Sequence, residues 1–196
     1  AYHNDYERTK TLADQLARRL SAEGLPLVRL YPGVVYGPGN LTSGNHVVGI
    51  LLDHARGRLP GLLGNGDGLQ CFAYVEDVAT GVVRAVERAQ PGSAYILGGD
   101  NRTTLDLFQA FHEASGIRPP RLRIPYAVAE VTGLFMRWGA ELTGWEPMLT
   151  DEVARIYRRE WAYSSERAVR ELGYHVTPLE EGVRRTVAWL REVGRL

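Results

Sequence analysis

Two residues near the start of the chain have side chains suited to moving a proton. Tyr6 and Lys10 stand four residues apart, and on a helix that spacing puts them on one face, one turn apart. An ammonium beside a phenol stabilises the phenolate, so a tyrosine placed this way can exchange a proton with a substrate hydroxyl near neutral pH. Lys10 is the single lysine of the chain, against 22 arginines. Lysine suits the task better than arginine: its charge is compact, and its three donors can hold a hydroxyl while facing the ring. With ten tyrosines in 196 residues, the spacing by itself is a weak signal. Its weight comes from a lysine kept in an arginine-biased chain and from the elements around it.

Those elements read as follows. Asn4-x-x-Glu7 can cap a helix, and Leu12, Leu16 and Leu20 give it one apolar face through about Ala22. Gly24 sits where a helix stop is expected. Residues 27–31 have strand character and run into Pro32-Gly33. Helix then strand across a tight connection is the second half of a strand–helix–strand unit, which implies a parallel sheet. The pattern continues with a loop over 32–40, a helix over 43–56, and a hairpin over 62–74 turning at Gly64-Asn65-Gly66-Asp67-Gly68. An amphipathic helix over 76–88 leads to a strand over 94–97. Thr103-x-x-Asp106 then opens a helix that ends near Gly116. From Pro119 the texture changes to short helical patterns starting at Pro125, Thr150, Ser164 and Thr177-Pro178, which predicts a mostly helical cap.

Composition narrows the function classes. The chain has 23 acidic and 23 basic residues, is 44% hydrophobic and 23% charged, and so offers no excess charge for a nucleic-acid or membrane partner. It has no apolar run of membrane-spanning length and no secretory leader pattern, so a cytoplasmic protein is expected. The one cysteine, Cys71, reads as a buried thiol near a strand. His46 and His54 lie eight residues apart on the helix expected over 43–56, with too few companions for a metal site, and no metal is expected. Glu76-Asp77 reads as acid at a helix N-terminus. The arginines around 155–159 and at 184–185 read as solvated helix faces. The apolar stretch 127–142 suits either core or a pocket wall.

Taken together and in order, these segments resemble the extended short-chain dehydrogenase/reductase family, also called the NAD-dependent epimerase/dehydratase family. The resemblance is carried by Tyr6-x-x-x-Lys10, Leu30-Tyr31-Pro32-Gly33, Tyr36-Gly37-Pro38-Gly39 and Phe72-Ala73-Tyr74-Val75-Glu76-Asp77-Val78-Ala79. Trp161-Ala162-Tyr163-Ser164, Glu171-Leu172-Gly173-Tyr174 and Trp189-Leu190 complete it. Residues 6–45, 57–68 and Leu142-Thr143-Gly144 look most like its dihydroflavonol-reductase and farnesol-dehydrogenase branch. Sugar-nucleotide epimerases of the family carry an arginine where this chain has the uncharged Leu69-Gln70-Cys71.

The resemblance implies an α/β fold: the C-terminal part of a doubly wound Rossmann-type parallel sheet with a mostly helical substrate-binding cap. Residues 1–100 would belong to the dinucleotide-binding domain, with a substrate-side segment inserted at about 40–75, and 101–196 to the cap. It implies Tyr6 as general acid/base and Lys10 as its partner and holder of the nicotinamide ribose. Pro32, Gly33 and Val34 would meet the nicotinamide, and His46 would contact substrate. The cofactor would be NAD or NADP, and the substrate an apolar or phenolic alcohol or ketone. A nucleotide-sugar epimerase or dehydratase is the second reading. A non-catalytic binding or regulatory protein is the third, against which the intact Tyr6 and Lys10 argue. The family's glycine-rich phosphate turn is absent from these residues, and Gly64 to Gly68 do not replace it. The expected partners are therefore the missing N-terminal half, a small-molecule substrate and a second copy in a homodimer. Alone, the chain is expected to be inactive.

Overall fold

The structure, a computed structural model, describes residues 5–42, 44–129 and 159–196. Helix α1 (Asp5–Ala22) leads to strand β1 (Arg29–Pro32), which pairs in parallel with β5 (Ala94–Leu97). Gly33 interrupts β1, donating its N–H to Leu97 O at 3.1 Å, and the chain resumes as β2 (Val34–Tyr36). Strand β2 pairs in parallel with β4 (Leu69–Tyr74), whose other edge takes β6 (Asp100–Thr103) antiparallel. Between β2 and β4 lie α2 (His46–Ala55) and β3 (Leu62–Leu63), and β3 pairs in parallel with β7 (Arg123–Ile124). Helices α3 (Val75–Arg88), α4 (Thr104–Ser115), α5 (Glu166–Leu172) and α6 (Leu179–Glu192) complete the described elements. This is a mixed α/β fold.

Alternation along β1 sorts its two faces. Val28 and Leu30 pack with Val78 and Ala85 of α3, Tyr95 and Leu97 of β5, and Ala168, Leu172 and Tyr174. Arg29 and Tyr31 turn the other way and meet Asp14 of α1. Helices α1 and α3 therefore cover opposite faces of this pair. A second core gathers Tyr36, Phe72 and Tyr74 with Leu107, Phe108 and Phe111 of α4 and Leu179, Val183 and Val187 of α6.

Two carboxylates anchor the entry to α6. Asp77 accepts from Thr177 N at 2.7 Å and Thr177 Oγ1 at 3.0 Å, and Asp100 accepts from Leu179 N at 3.2 Å. The acid pair at the head of α3 is thus more than a helix-end charge: Asp77 is buried and ties α3 to the chain leading into α6. Asp77→Ala leaves the buried Thr177 N–H without an acceptor and is expected to destabilise the fold by about 2 kcal/mol. A lowered denaturant midpoint with unchanged slope would report it.

Several expectations change. The hairpin over 62–74 does not form, because β3 pairs with β7 while β4 pairs with β2 and β6. Gly64 and Gly66 do take positive φ, 58° and 75°. They turn the chain towards other partners: Gly64 N donates to Ile124 O, and Gly66 O accepts from Leu105 N. Residues 34–36, expected as loop, form β2. The four polar residues of β6 carry no apolar alternation, and the strand exists through its pairing with β4. Helix α2 starts at His46 rather than near 43. The helical pattern from Thr150, and all of the apolar stretch 127–142 beyond residue 129, lie outside the described residues.

Candidate active site

Helix α1 presents Tyr6 and Lys10 side by side, as four-residue spacing on a helix requires. The Lys10 ammonium lies 5.5 Å from the Tyr6 ring centre, within cation–π range. Both side chains are exposed, Tyr6 by 69%. On the same turn Thr9 Oγ1 donates to Tyr6 O at 2.9 Å.

One turn further along α1, Asp14 gathers three partners. It accepts from the Tyr31 hydroxyl of β1 and from Arg18 Nε at 2.7 Å, and Arg29 Nη1 stands 3.6 Å away. The Tyr31 hydrogen bond first, then that from Arg18, hold the Asp14 carboxyl below the usual aspartate range. Burial first, then the contact with Asp14, push the Tyr31 phenol up. Sequence reasoning missed this cluster: seventeen residues separate Asp14 from Tyr31, and no local spacing rule joins them.

Pro32, Gly33 and Val34 form the join of β1 and β2. Glycine is required there by close approach: a Cβ on Gly33 would lie 2.6 Å from Cys71 O and 3.2 Å from Cys71 Sγ. The Gly33 N–H is committed to Leu97 O and is not available to a ligand. His46 heads α2 and reaches solvent, while the atoms packed around its ring lower its pKa by desolvation, favouring the neutral imidazole. Beside it Asn45 donates to Gly37 O at 3.0 Å, fastening the loop after β2 to α2. Tyr6 with Lys10, the 32–34 backbone and His46 are thus carried by three different elements: α1, the strand join and α2.

Cys71 lies on β4 with 1% of its surface exposed, and its Sγ accepts from Gly99 N at 3.2 Å. Burial raises the thiol's pKa. A thiol reagent is expected to leave Cys71 untouched in the folded protein and to label it fully once unfolded, a difference that intact-mass measurement reads directly. An open groove of about 580 Å³ lies between β6 and α5, lined by Gly99, Asn101, Tyr163, Ser165 and Arg170 among others. Its Asn101 and Ser165 are already engaged. Asn101 pairs with the Tyr163 backbone through both ends of its amide, and Ser165 Oγ accepts from Gly98 N. Among the described residues no cluster of His, Cys, Asp and Glu could hold a metal, and no helix is long and apolar enough to cross a membrane.

For a dinucleotide, the residues present fit one end only. Exposed Tyr6 and Lys10 offer a hydroxyl and a cation to a ribose. Among the described residues no phosphate turn accompanies them, since Gly64 to Gly68 lie between strands β3 and β4 with no helix start to receive an anion.

Residues 1–98 match the NAD dependent epimerase/dehydratase family. The chain is 27% identical over 198 residues to sterol demethylase protein B of Methylococcus capsulatus, covering 98% of this chain and 58% of that protein. It is 25% identical over 194 residues to sterol-4-alpha-carboxylate 3-dehydrogenase erg26, decarboxylating, of Schizosaccharomyces pombe, covering 94% of this chain and 56% of that protein. The crystal structure of gox2253 superposes with a TM-score of 0.76 at 31% identity, over 97% of this chain and 57% of that one. The chain spans a little over half the length of each.

Proposed function

Because this chain belongs to the NAD dependent epimerase/dehydratase family, we propose that it is the C-terminal part of an NAD- or NADP-dependent oxidoreductase acting on an apolar alcohol or ketone of sterol type. The observation that carries the reading is the exposed Tyr6 with the Lys10 ammonium 5.5 Å from its ring centre. Bound nicotinamide supplies the hydride acceptor or donor. In the oxidation, Tyr6 takes the proton from the substrate hydroxyl as the carbon loses hydride, and in the reduction it returns that proton to the oxygen. Lys10 faces the Tyr6 ring and would hold a ribose hydroxyl with its donors. The backbone at Pro32 and Val34, with the carbonyl of Gly33, would meet the nicotinamide. His46 lies on the substrate side, and its neutral ring can accept or donate a hydrogen bond.

The substrate class rests on two supports. Both curated relatives above are sterol enzymes by name. The start of β4, where sugar-nucleotide epimerases carry an arginine, holds Gln70 and Cys71, both uncharged and buried. The part of the protein beyond these residues supplies the phosphate-binding turn.

The family's description also supports a second reading, a nucleotide-sugar epimerase or dehydratase using the same pair with a retained cofactor. One experiment separates them. The whole protein is given NAD or NADP with either a 3-hydroxysterol or a UDP-sugar. Sterol-dependent growth of nicotinamide absorbance supports the oxidoreductase. Conversion of the UDP-sugar without net reduction of cofactor supports the epimerase and contradicts the first reading.

A further inference from the structure

A proton donor on a helix acts on a group held over a strand only if helix and strand keep a fixed height relative to each other. In this fold the Asp14 cluster joins the two. Tyr6, Lys10, Asp14 and Arg18 follow one another at four-residue spacing along α1, so Asp14 sits on the same side of the helix as the pair, one turn beyond Lys10. The Tyr31 hydroxyl that it accepts comes from β1, from the residue immediately before Pro32 and Gly33.

Heights follow from element geometry. The short connection over 23–28 reverses the chain, so α1 and β1 run in opposite directions. Measured from the Asp14–Tyr31 contact, Lys10 lies about 6 Å up the helix at about 1.5 Å per residue. Gly33 lies about 7 Å up the strand at about 3.3 Å per residue. Lys10 and Gly33 come level, and Tyr6 falls one turn higher, near Val34 and Val35. The carboxylate is itself fixed from two sides. Arg18 grips it from α1, while Arg29, a partly buried side chain of β1 whose Nε and Nη1 atoms are shielded and make no hydrogen bond, faces it with its charge.

We infer that Asp14 and Tyr31 are positioning residues: their hydrogen bond holds the Tyr6/Lys10 turn at the height of the 32–34 backbone. The inference rests on the functional reading above. Neither residue touches the reacting atoms. A displacement of about 1 Å at a proton-transfer site costs on the order of 10²-fold in rate, so losing the clamp is expected to show in turnover before it shows in folding.

The test uses the full-length protein with its alcohol substrate. Tyr31→Phe keeps the ring and removes only the hydroxyl. It is expected to lower kcat at least about tenfold, to raise the solvent deuterium isotope effect on kcat, and to move Tm by no more than about 3 °C. Asp14→Leu is expected to match it. Asp14→Asn, which keeps an acceptor for Tyr31, is expected to lose clearly less. Tyr31→Phe and Asp14→Leu both turning over at the unsubstituted rate, with Tyr6→Phe inactive, would overturn the clamp and leave the functional reading standing. An active Tyr6→Phe would overturn the functional reading, and the clamp with it.

Discussion

Under the proposed function, Tyr6→Phe in the full-length protein is expected to lower kcat by about 10³-fold while leaving Tm unchanged. The substitution keeps the ring under the Lys10 ammonium and deletes only the oxygen to which the proposed mechanism assigns the proton exchange. A positioned general acid/base typically contributes about 10²- to 10⁴-fold. Stability is spared because Tyr6 is 69% exposed and belongs to neither of the two main cores. Substrate and cofactor should bind with little change, so the loss falls on kcat and on kcat/KM together. Steady-state kinetics beside a thermal melt separate this result from general damage. Turnover within about threefold of the parent would remove Tyr6 from the chemistry.

Gly99→Ala is expected to have the largest effect on folding. A Cβ at Gly99 would stand 1.7 Å from Phe72 O, 2.4 Å from Phe72 C and 2.7 Å from Ala73 Cα. All three are backbone atoms of β4, which is paired on both edges, with β2 on one side and β6 on the other, and so has little room to retreat. The shift would also disturb the Gly99 N–H contact to Cys71 Sγ. Overpacking usually costs about 1–3 kcal/mol, and a backbone clash this close belongs at or above the upper end, about 3 kcal/mol. Denaturant unfolding should show a much earlier midpoint, or soluble yield should collapse. An unchanged midpoint would mean that the turn between β5 and β6 can open without cost, contrary to its tight packing on β4.

How much of this was legible in the residues depended on how local each signal was. Helix α4 was readable at both ends. Thr103 and Asp106 form the capping box at its start, each side chain meeting the other's backbone N–H, and Gly116 closes it at φ 85°. The apolar run 94–97 became β5, and the Tyr6–Lys10 adjacency followed from helix spacing alone. Long-range pairing decided the rest. Strand β6 is polar throughout and is defined by β4 beside it. The glycines at 64 and 66 made a turn as expected, but the strands they connect pair elsewhere. Leu12 and Leu16 gave α1 an apolar face by periodicity, yet that face is exposed among the described residues. Periodicity tells which face is apolar and not what covers it. Gly33 was readable as the end of the strand run over 27–31, but not the commitment of its N–H to Leu97, which needs the parallel partner in place.

The most direct test is Lys10→Arg in the full-length protein, with NAD and NADP titrated and alcohol-dependent reduction followed. Arginine keeps the charge and, on an exposed turn of α1, leaves the fold intact. It loses the compact ammonium that faces the phenol and a ribose hydroxyl together. The catalytic pairing of Tyr6 and Lys10 predicts weakened binding of the preferred nucleotide and a fall in turnover of about 10²-fold. Turnover and nucleotide affinity equal to those of the parent would make the single lysine an accident of composition and contradict the mechanism.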